Sequence, residues 1–158
     1  MNSDFNELLR ALNDVGAEYL VVGGYAVGKH TEPRYTKDLD VWVNNSEKNA
    51  VRVLEALKAY GAPISDLSLD DLTADDMFYQ IGVEPLRIDI IAALAEMDFN
   101  ECWRRRVVAE VDNISVNFIS IPDLITNKEM TGRPMDLVDA KNLRKKLELD
   151  GTALNPNH

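Results

Sequence analysis

The chain has one cysteine, no long apolar run and fewer basic than acidic residues, and each shortage excludes something. The single Cys102 excludes an internal disulfide. No apolar run is long enough to cross a bilayer, so we expect no membrane partner. The first ten residues, MNSDFNELLR, lack a basic region followed by an apolar stretch. We therefore expect no secretory signal and a cytoplasmic protein.

The charge balance limits the partners. Lys and Arg number 17 against 27 Asp and Glu, which gives a formal net charge of −10. This balance argues against broad binding to long nucleic acid, without excluding it, because such binding needs phosphates to be neutralised by basic side chains. A small anionic ligand held through a divalent cation remains compatible with it. The basic clusters at 104–106 and 141–146 are predicted to be solvated helix surfaces.

What is present is typical of a globular domain. An apolar share of 46% and a charged share of 28% fit a chain of 158 residues that folds around one core. We predict a single domain over residues 1–150 and a flexible tail over 151–158.

Periodicity, caps and turn residues predict an alternation of helices and strands. The predicted helices are 3–15, 25–30, 46–61, 95–105, 122–132 and 136–149. The predicted strands are 18–22, 37–43, 77–82, 86–91, 107–111 and 114–119, with the last two joined by a turn at Asp112 and Asn113. This order predicts an α/β (α+β) fold in which helices pack on a mixed β-sheet.

Two acidic residues interrupt an apolar strand in KDLDVWV, residues 37–43. Asp38 and Asp40 share one face of the strand, as does Thr36, because side chains alternate along a strand. Two neighbouring carboxylates repel each other unless one is protonated or a cation lies between them. A hard divalent cation such as Mg²⁺ accepts such oxygen ligands and completes its shell with water and phosphate.

A third acidic residue, Asp89, interrupts the apolar strand LRIDII. If this strand lies beside residues 37–43, three carboxylates converge and could hold the metal ions of a phosphoryl-type displacement. The alternative is structural: Asp89 forms a salt bridge with Arg87 or lies on an edge strand.

Gly23 and Gly24 lie where the first strand gives way to a helix. Without Cβ atoms the backbone can approach a phosphate, and the helix N-terminus offers N–H groups to that anion. A tight turn is the alternative explanation. The stretch is neither a G-x-G-x-x-G fingerprint nor a Walker loop.

Two segments carry a family resemblance. VGGYAVGKHTEPRYTKDLDVWV joins Gly-Gly to an apolar-flanked Asp-x-Asp, and IPDLITNKEMTGRPMDLVDAKNL, residues 121–143, resembles a closing segment with one Lys and two later Asp. Together they resemble the nucleotidyltransferase superfamily, which has the DNA polymerase β-like fold. The Arg-x-Thr-x-Asp-x-Asp form, residues 34–40, is similar to the bacterial branch of AbiEii-type and MenT-like toxins.

The resemblance implies a role for each matching residue. It implies Mg²⁺ or Mn²⁺ as cofactor, an NTP as substrate, and Asp89 as general base in addition to metal ligand. The implied metal ligands are Asp38, Asp40 and Asp89; the implied phosphate-binding residues are Gly23, Gly24, Arg34, Thr36 and Lys128. Asp136 and Asp139 are expected to brace the start of the final helix, with Arg133 paired to one of them. Trp42 is expected to lie in the core.

The function that follows is metal-dependent transfer of a nucleoside monophosphate from an NTP to an unknown acceptor. Two alternatives remain open. One is a catalytically weak or inactive relative that acts as an antitoxin or regulatory protein, with a toxin or antitoxin protein as partner. The other is a structural domain that binds no ligand.

Overall fold

The computed structural model describes residues 2–32, 36–83 and 86–154, which form six strands and seven helices. Arg34 lies outside these ranges. The strands are β1 (Tyr19–Val22), β2 (Asp38–Val43), β3 (Phe78–Val83), β4 (Leu86–Ile91), β5 (Val107–Val111) and β6 (Ile114–Phe118). The helices are α1 (Ser3–Asp14), α2 (Gly23–His30), α3 (Glu47–Tyr60), α4 (Leu69–Thr73), α5 (Phe99–Arg104), α6 (Ile121–Thr131) and α7 (Pro134–Leu154).

All six strands form one mixed sheet in the order β3-β4-β2-β1-β6-β5. The pairs β3–β4, β1–β2 and β5–β6 are antiparallel, whereas β2–β4 and β1–β6 are parallel. Helix α1 packs against β6 and α3, α2 packs against β1 and β2, and α6 packs against α7. The predicted fold class, a mixed sheet with helices packed on it, is confirmed.

Local signals set most element ends as predicted. The Ser46 hydroxyl accepts from the Asn49 N–H at 3.2 Å and begins α3, and Gly61 ends it at a φ of 93°. The predicted turn residues Asp112 and Asn113 have φ values of 51° and 66°, the left-handed geometry of a two-residue hairpin.

Several boundaries differ from the sequence prediction, including the start of α5 at Phe99, four residues after the predicted residue 95. Helix α1 is capped by Asn2, whose side chain accepts from the Asp4 N–H, and it ends at Asp14, one residue before the predicted end. Helix α2 begins at Gly23, two residues before the predicted start. Helix α7 continues to Leu154 and so includes the first four residues of the predicted tail, while 155–158 lie outside the described residues. The flexibility of that tail stays a prediction.

The core contains the apolar side chains of β2 that alternate with the two aspartates. Leu39 and Val41 are fully buried, on the face of β2 opposite the aspartates. Trp42 is buried as predicted; its ring meets Phe99 edge-to-face, and its indole N–H donates to the Ala92 carbonyl at 3.2 Å. Within the described ranges, no helix combines the length and the apolar character needed to cross a membrane.

The arginine cluster at 104–106 is exposed at Arg104 and Arg105, as predicted, and half-buried at Arg106. The Arg105 guanidinium donates two hydrogen bonds of 3.0 Å to the buried Asp123, whose own backbone N–H is capped by Ser120. Arg106 stacks over the Trp103 ring at 3.8 Å from its centre. Arg105 therefore ties the end of α5 to α6, whereas Arg106 packs against α5.

A buried amide ties β1, β2 and α3 together. The Asn49 oxygen accepts from the Glu18 N–H at 2.7 Å, and its nitrogen donates to the carbonyls of Glu18 and Asn44 at 3.1 and 2.7 Å. One side chain therefore satisfies backbone groups where β1 begins and where β2 ends. This junction sets the two strands that carry the glycine turn and the aspartates.

We predict that Asn49→Ala lowers the free energy of unfolding by about 2–4 kcal/mol, because it leaves buried backbone groups without partners. The neighbouring Lys48 is exposed, and Lys48→Ala should change stability by no more than about 0.5 kcal/mol. Urea denaturation followed by circular dichroism measures both. Equal stabilities of the two variants would contradict this role of Asn49.

Candidate active site

The parallel pairing of β2 with β4 brings the predicted carboxylates together. Asp40 lies directly opposite Asp89, and Asp38 lies directly opposite Arg87. Residues in such register on neighbouring parallel strands point to the same face of the sheet. All three predicted metal ligands therefore share one face, as the sequence prediction required.

The glycine turn lies next to Asp40 on the β1 side of β2, opposite β4. Val22, the last residue of β1, is in register with Asp40, so α2 begins beside that carboxyl. Gly23 has a φ of +66°, and a Cβ on it would lie 2.2 Å from Asp40 Oδ2. Only glycine fits here, because both the backbone angle and the contact with Asp40 exclude a side chain.

Asp40 and Asp89 form a carboxyl pair that a hydrogen bond can link when Asp40 is protonated. Burial, followed by the negative charges of Asp89 and Asp38, raises the pKa of Asp40 to about 6. Lys128 acts in the opposite direction, since its positive charge lowers the pKa of Asp40. Without a cation between them, the repulsion within the pair is relieved by a proton on Asp40 only below about pH 6.

Arg87 connects the other two carboxylates. Its Nη2 donates to Asp38 Oδ2 at 3.0 Å, and its Nε lies 3.8 Å from Asp89 Oδ1. The salt bridge that was the structural alternative for Asp89 is thus present, and it extends to Asp38. Asp89 Oδ1 also accepts from the side-chain amide of Gln80 at 2.9 Å. Gln80 lies opposite Asp89 on β3.

The donor set fits a hard divalent cation in its chemistry. Three carboxyl groups share the face, and Asp38 Oδ1 is buried with no hydrogen-bond partner among the described residues. In the same part of the chain, however, no three acidic, His or Cys side chains converge tightly enough to hold a metal as they stand. The guanidinium of Arg87 lies against two of the three carboxyls.

Lys128 lies on α6, near enough to Asp40 for its positive charge to lower the pKa of that carboxyl. Its Nζ is 3.5 Å from Asp136 Oδ1 and 3.4 Å from Asp139 Oδ2, and both of these aspartates are buried at the start of α7. Arg133 also pairs with Asp136, as predicted, and this hydrogen bond holds the pKa of Asp136 well below its usual range.

The remaining predicted residues are placed as follows. Gly24 lies in the first turn of α2. The hydroxyl oxygen of Thr36 is buried and makes no hydrogen bond to a described residue. Arg34 lies outside the described residues, so its predicted role stays a prediction.

Two contacts were not predicted from sequence. Gln80 was missed altogether; the available signal was a lone amide within the apolar strand FYQIG. Arg87 was named only as a partner of Asp89, and its bond to Asp38 depends on the strand register. Neither contact can be read from spacing along the chain, because both cross between strands.

Among solved structures, the chain is similar to the crystal structure of a provisionally described nucleotidyltransferase from Thermotoga maritima. The TM-score is 0.57 and the identity 14%, over 91% of this chain and 90% of that one. No protein-family model and no curated protein matches the chain. At this identity the likeness concerns the fold. The chain has a nucleotidyltransferase-like α+β fold, and the AbiEii/MenT-like branch stays a prediction.

We predict that Gly23→Ala destabilises the protein by about 2–4 kcal/mol. Roughly 1–2 kcal/mol comes from the left-handed backbone and the rest from the collision with Asp40. Gly61→Ala is the matched control, since Gly61 has a φ of +93° and its Cβ would contact nothing within 4 Å. Denaturation of both variants separates backbone strain from collision.

The same experiment includes a double variant. Gly23→Ala combined with Asp40→Ala removes the colliding carboxyl, so the cost of the alanine should fall toward that of Gly61→Ala. If it does not fall, Asp40 does not pack against the turn as described.

We predict that stability falls as pH rises from about 4 to about 6 through the ionisation of Asp40. In this window the folded protein keeps the proton on Asp40, whereas the unfolded chain, with an ordinary aspartate pKa, releases it. The loss is at most roughly 3 kcal/mol, from about 1.4 kcal/mol per pKa unit. Denaturation of the wild type and Asp40→Asn across this range, without divalent cations, isolates the contribution. Parallel pH profiles would contradict it.

Proposed function

We propose that this chain is a metal-dependent nucleotidyltransferase that moves a nucleoside monophosphate from an NTP to the hydroxyl of an acceptor. The observation that carries the proposal is the pair Asp40 and Asp89, in register on parallel strands, with Gly23 packed against Asp40. Fold likeness to the Thermotoga protein supports the same reaction class.

Asp38, Asp40 and Asp89 would hold Mg²⁺ or Mn²⁺. Such an ion neutralises the triphosphate and stabilises the pyrophosphate leaving group. The buried carboxyl oxygen of Asp38 that has no described partner is suited to this ligation. Asp40 must lose its proton to ligate, and a positive ion favours that loss.

The start of α2 would bind the phosphates. Its N-cap residue is Val22, which has no side-chain oxygen to cap the first N–H groups. The backbone at Gly23 and Gly24 can therefore donate to phosphate oxygens at the positive end of the helix. Lys128 and Thr36, and Arg34 from outside the described residues, would add further phosphate contacts.

Asp89 would act as general base. Its Oδ1 is oriented by Gln80 and faces Arg87, and its side chain is only 12% exposed. It takes the proton of the acceptor hydroxyl as the oxygen forms a bond to the α-phosphorus. The bond from that phosphorus to the oxygen bridging the β-phosphate breaks, and pyrophosphate leaves.

We predict that the protein binds an NTP only when Mg²⁺ or Mn²⁺ is present, and that Asp38→Ala with Asp40→Ala reduces this binding at least 30-fold. Calorimetry with each NTP, with and without the metal, measures it. The control Glu55→Ala with Asp66→Ala removes two exposed negative charges elsewhere and should leave binding unchanged. Absence of metal-dependent binding of every NTP would overturn the proposed function.

The acceptor requires a separate assay. Incubation with each α-labelled NTP, Mg²⁺ and cell extract, followed by isolation of the labelled molecule, identifies it. The Asp38, Asp40 double variant is the control for transfer by other enzymes.

A second candidate is a regulatory binding protein, an antitoxin or a toxin partner, without catalysis. The observation that favours it is the Arg87 guanidinium lying against two of the candidate metal ligands. Under this alternative the Asp38, Asp40 double variant still binds its partner and still neutralises it.

A further inference from the structure

The acidic site contains one positively charged side chain, that of Arg87. Arg87 and Asp89 lie two residues apart on β4 and therefore point to the same face, and their neighbours on β2 are Asp38 and Asp40. The four side chains form a square of three carboxyls and one guanidinium. Arg87 is thus placed by strand register, in the same way as the carboxyls themselves.

The guanidinium of Arg87 is in contact with the carboxyls of Asp38 and Asp89. It donates to Asp38 Oδ2 at 3.0 Å and its Nε lies 3.8 Å from Asp89 Oδ1. The remaining carboxyl, Asp40, lies opposite Asp89 and is within reach of the positive charge of Lys128. Each carboxyl of the metal-free site therefore has a neighbour that reduces its repulsion from the others.

This arrangement explains why the three carboxyls do not converge on one point within the described part of the chain. A fork-shaped guanidinium spans two carboxylates from the side, whereas a metal ion requires their oxygens to turn toward a common centre. The two cations cannot be held by the same oxygens at once.

The contact is one that a metal could displace. The side chains of Arg87 and Asp38 are 29% and 36% exposed, so water can solvate a released guanidinium. Lys128, by comparison, is 11% exposed and pairs with two buried aspartates. An ion pair at such exposure is weak compared with a buried one.

We propose that Arg87 is a positioning residue that acts as an internal counter-cation: it holds Asp38 and Asp89 in the metal-free protein and is displaced when a divalent cation binds. The proposal rests on the proposed function. Its consequence is that Arg87 lowers the affinity of the site for metal alone and limits binding of the ion in the absence of nucleotide.

The test is titration of the full chain with Mn²⁺ alone, with free Mn²⁺ measured by electron paramagnetic resonance. We expect Arg87→Ala to bind Mn²⁺ at least ten-fold more tightly than the wild type. Arg87→Lys should be intermediate, since an ammonium group lacks the fork that spans both carboxyls. The control Arg104→Ala removes the same charge from an exposed ion pair on α5 and should stay within two-fold.

A purely structural role for Arg87 gives different results. Arg87→Ala would then bind Mn²⁺ no more tightly than the wild type, or gain no more than Arg104→Ala, and either result overturns the proposal. Thermal unfolding adds an independent measurement: saturating Mn²⁺ should raise the Tm of Arg87→Ala more than that of the wild type.

The wild type provides a test that does not depend on the variants folding. The guanidinium Nη–H signals of Arg87 in nitrogen-15 NMR should include a protected proton, the one donated to Asp38, without metal and should show faster exchange with saturating Mg²⁺. An unchanged signal overturns the proposal. If the signal is unchanged but the protein still binds NTP together with metal, only the role of Arg87 is contradicted. If the wild type and every variant fail to bind Mn²⁺ and also fail to bind NTP with metal, the proposed function is contradicted as well.

Discussion

The architecture of the site depends on the pairing of β2 with β4, because that register places Asp40 opposite Asp89. Two carboxyls side by side on neighbouring strands repel each other, and their burial makes the repulsion stronger. Every other contact of the site can be understood as a response to that repulsion. The repulsion raises the pKa of Asp40 to about 6, a guanidinium lies between Asp38 and Asp89, and the charge of Lys128 acts on Asp40 from α6.

Retaining such a cluster is unfavourable for stability alone. Apolar residues of similar size on the same face would avoid the desolvation of the carboxyls, and ion pairs in buried positions seldom recover that cost. The rest of the domain has a well-packed core, including Trp42, Tyr19 and Phe5. The concentration of unfavourable charge at the glycine turn is therefore typical of a functional site in a stable scaffold.

The supporting shell around the cluster is built from several parts of the chain. Gly23 removes the Cβ that would collide with Asp40, and Gln80 orients Asp89 from β3. Asn49 joins the strand ends from α3, and Asp136 with Asp139 holds Lys128 from α7. Elements distant in sequence thus determine the orientation of a few polar groups, which is how a rigid domain places a reactive site.

Periodicity, capping residues and turn pairs in the sequence determined most of the helices and strands and the hairpin of β5 with β6, because these depend on neighbours in the chain. They also determined that Asp38 and Asp40 share a face, since a strand alternates its side chains. Only the tertiary structure decided that β4 lies beside β2 in parallel, that Arg87 reaches Asp38, and that Gln80 reaches Asp89. These contacts cross between strands, and strand order and register are set by packing of the whole sheet, which no local pattern contains.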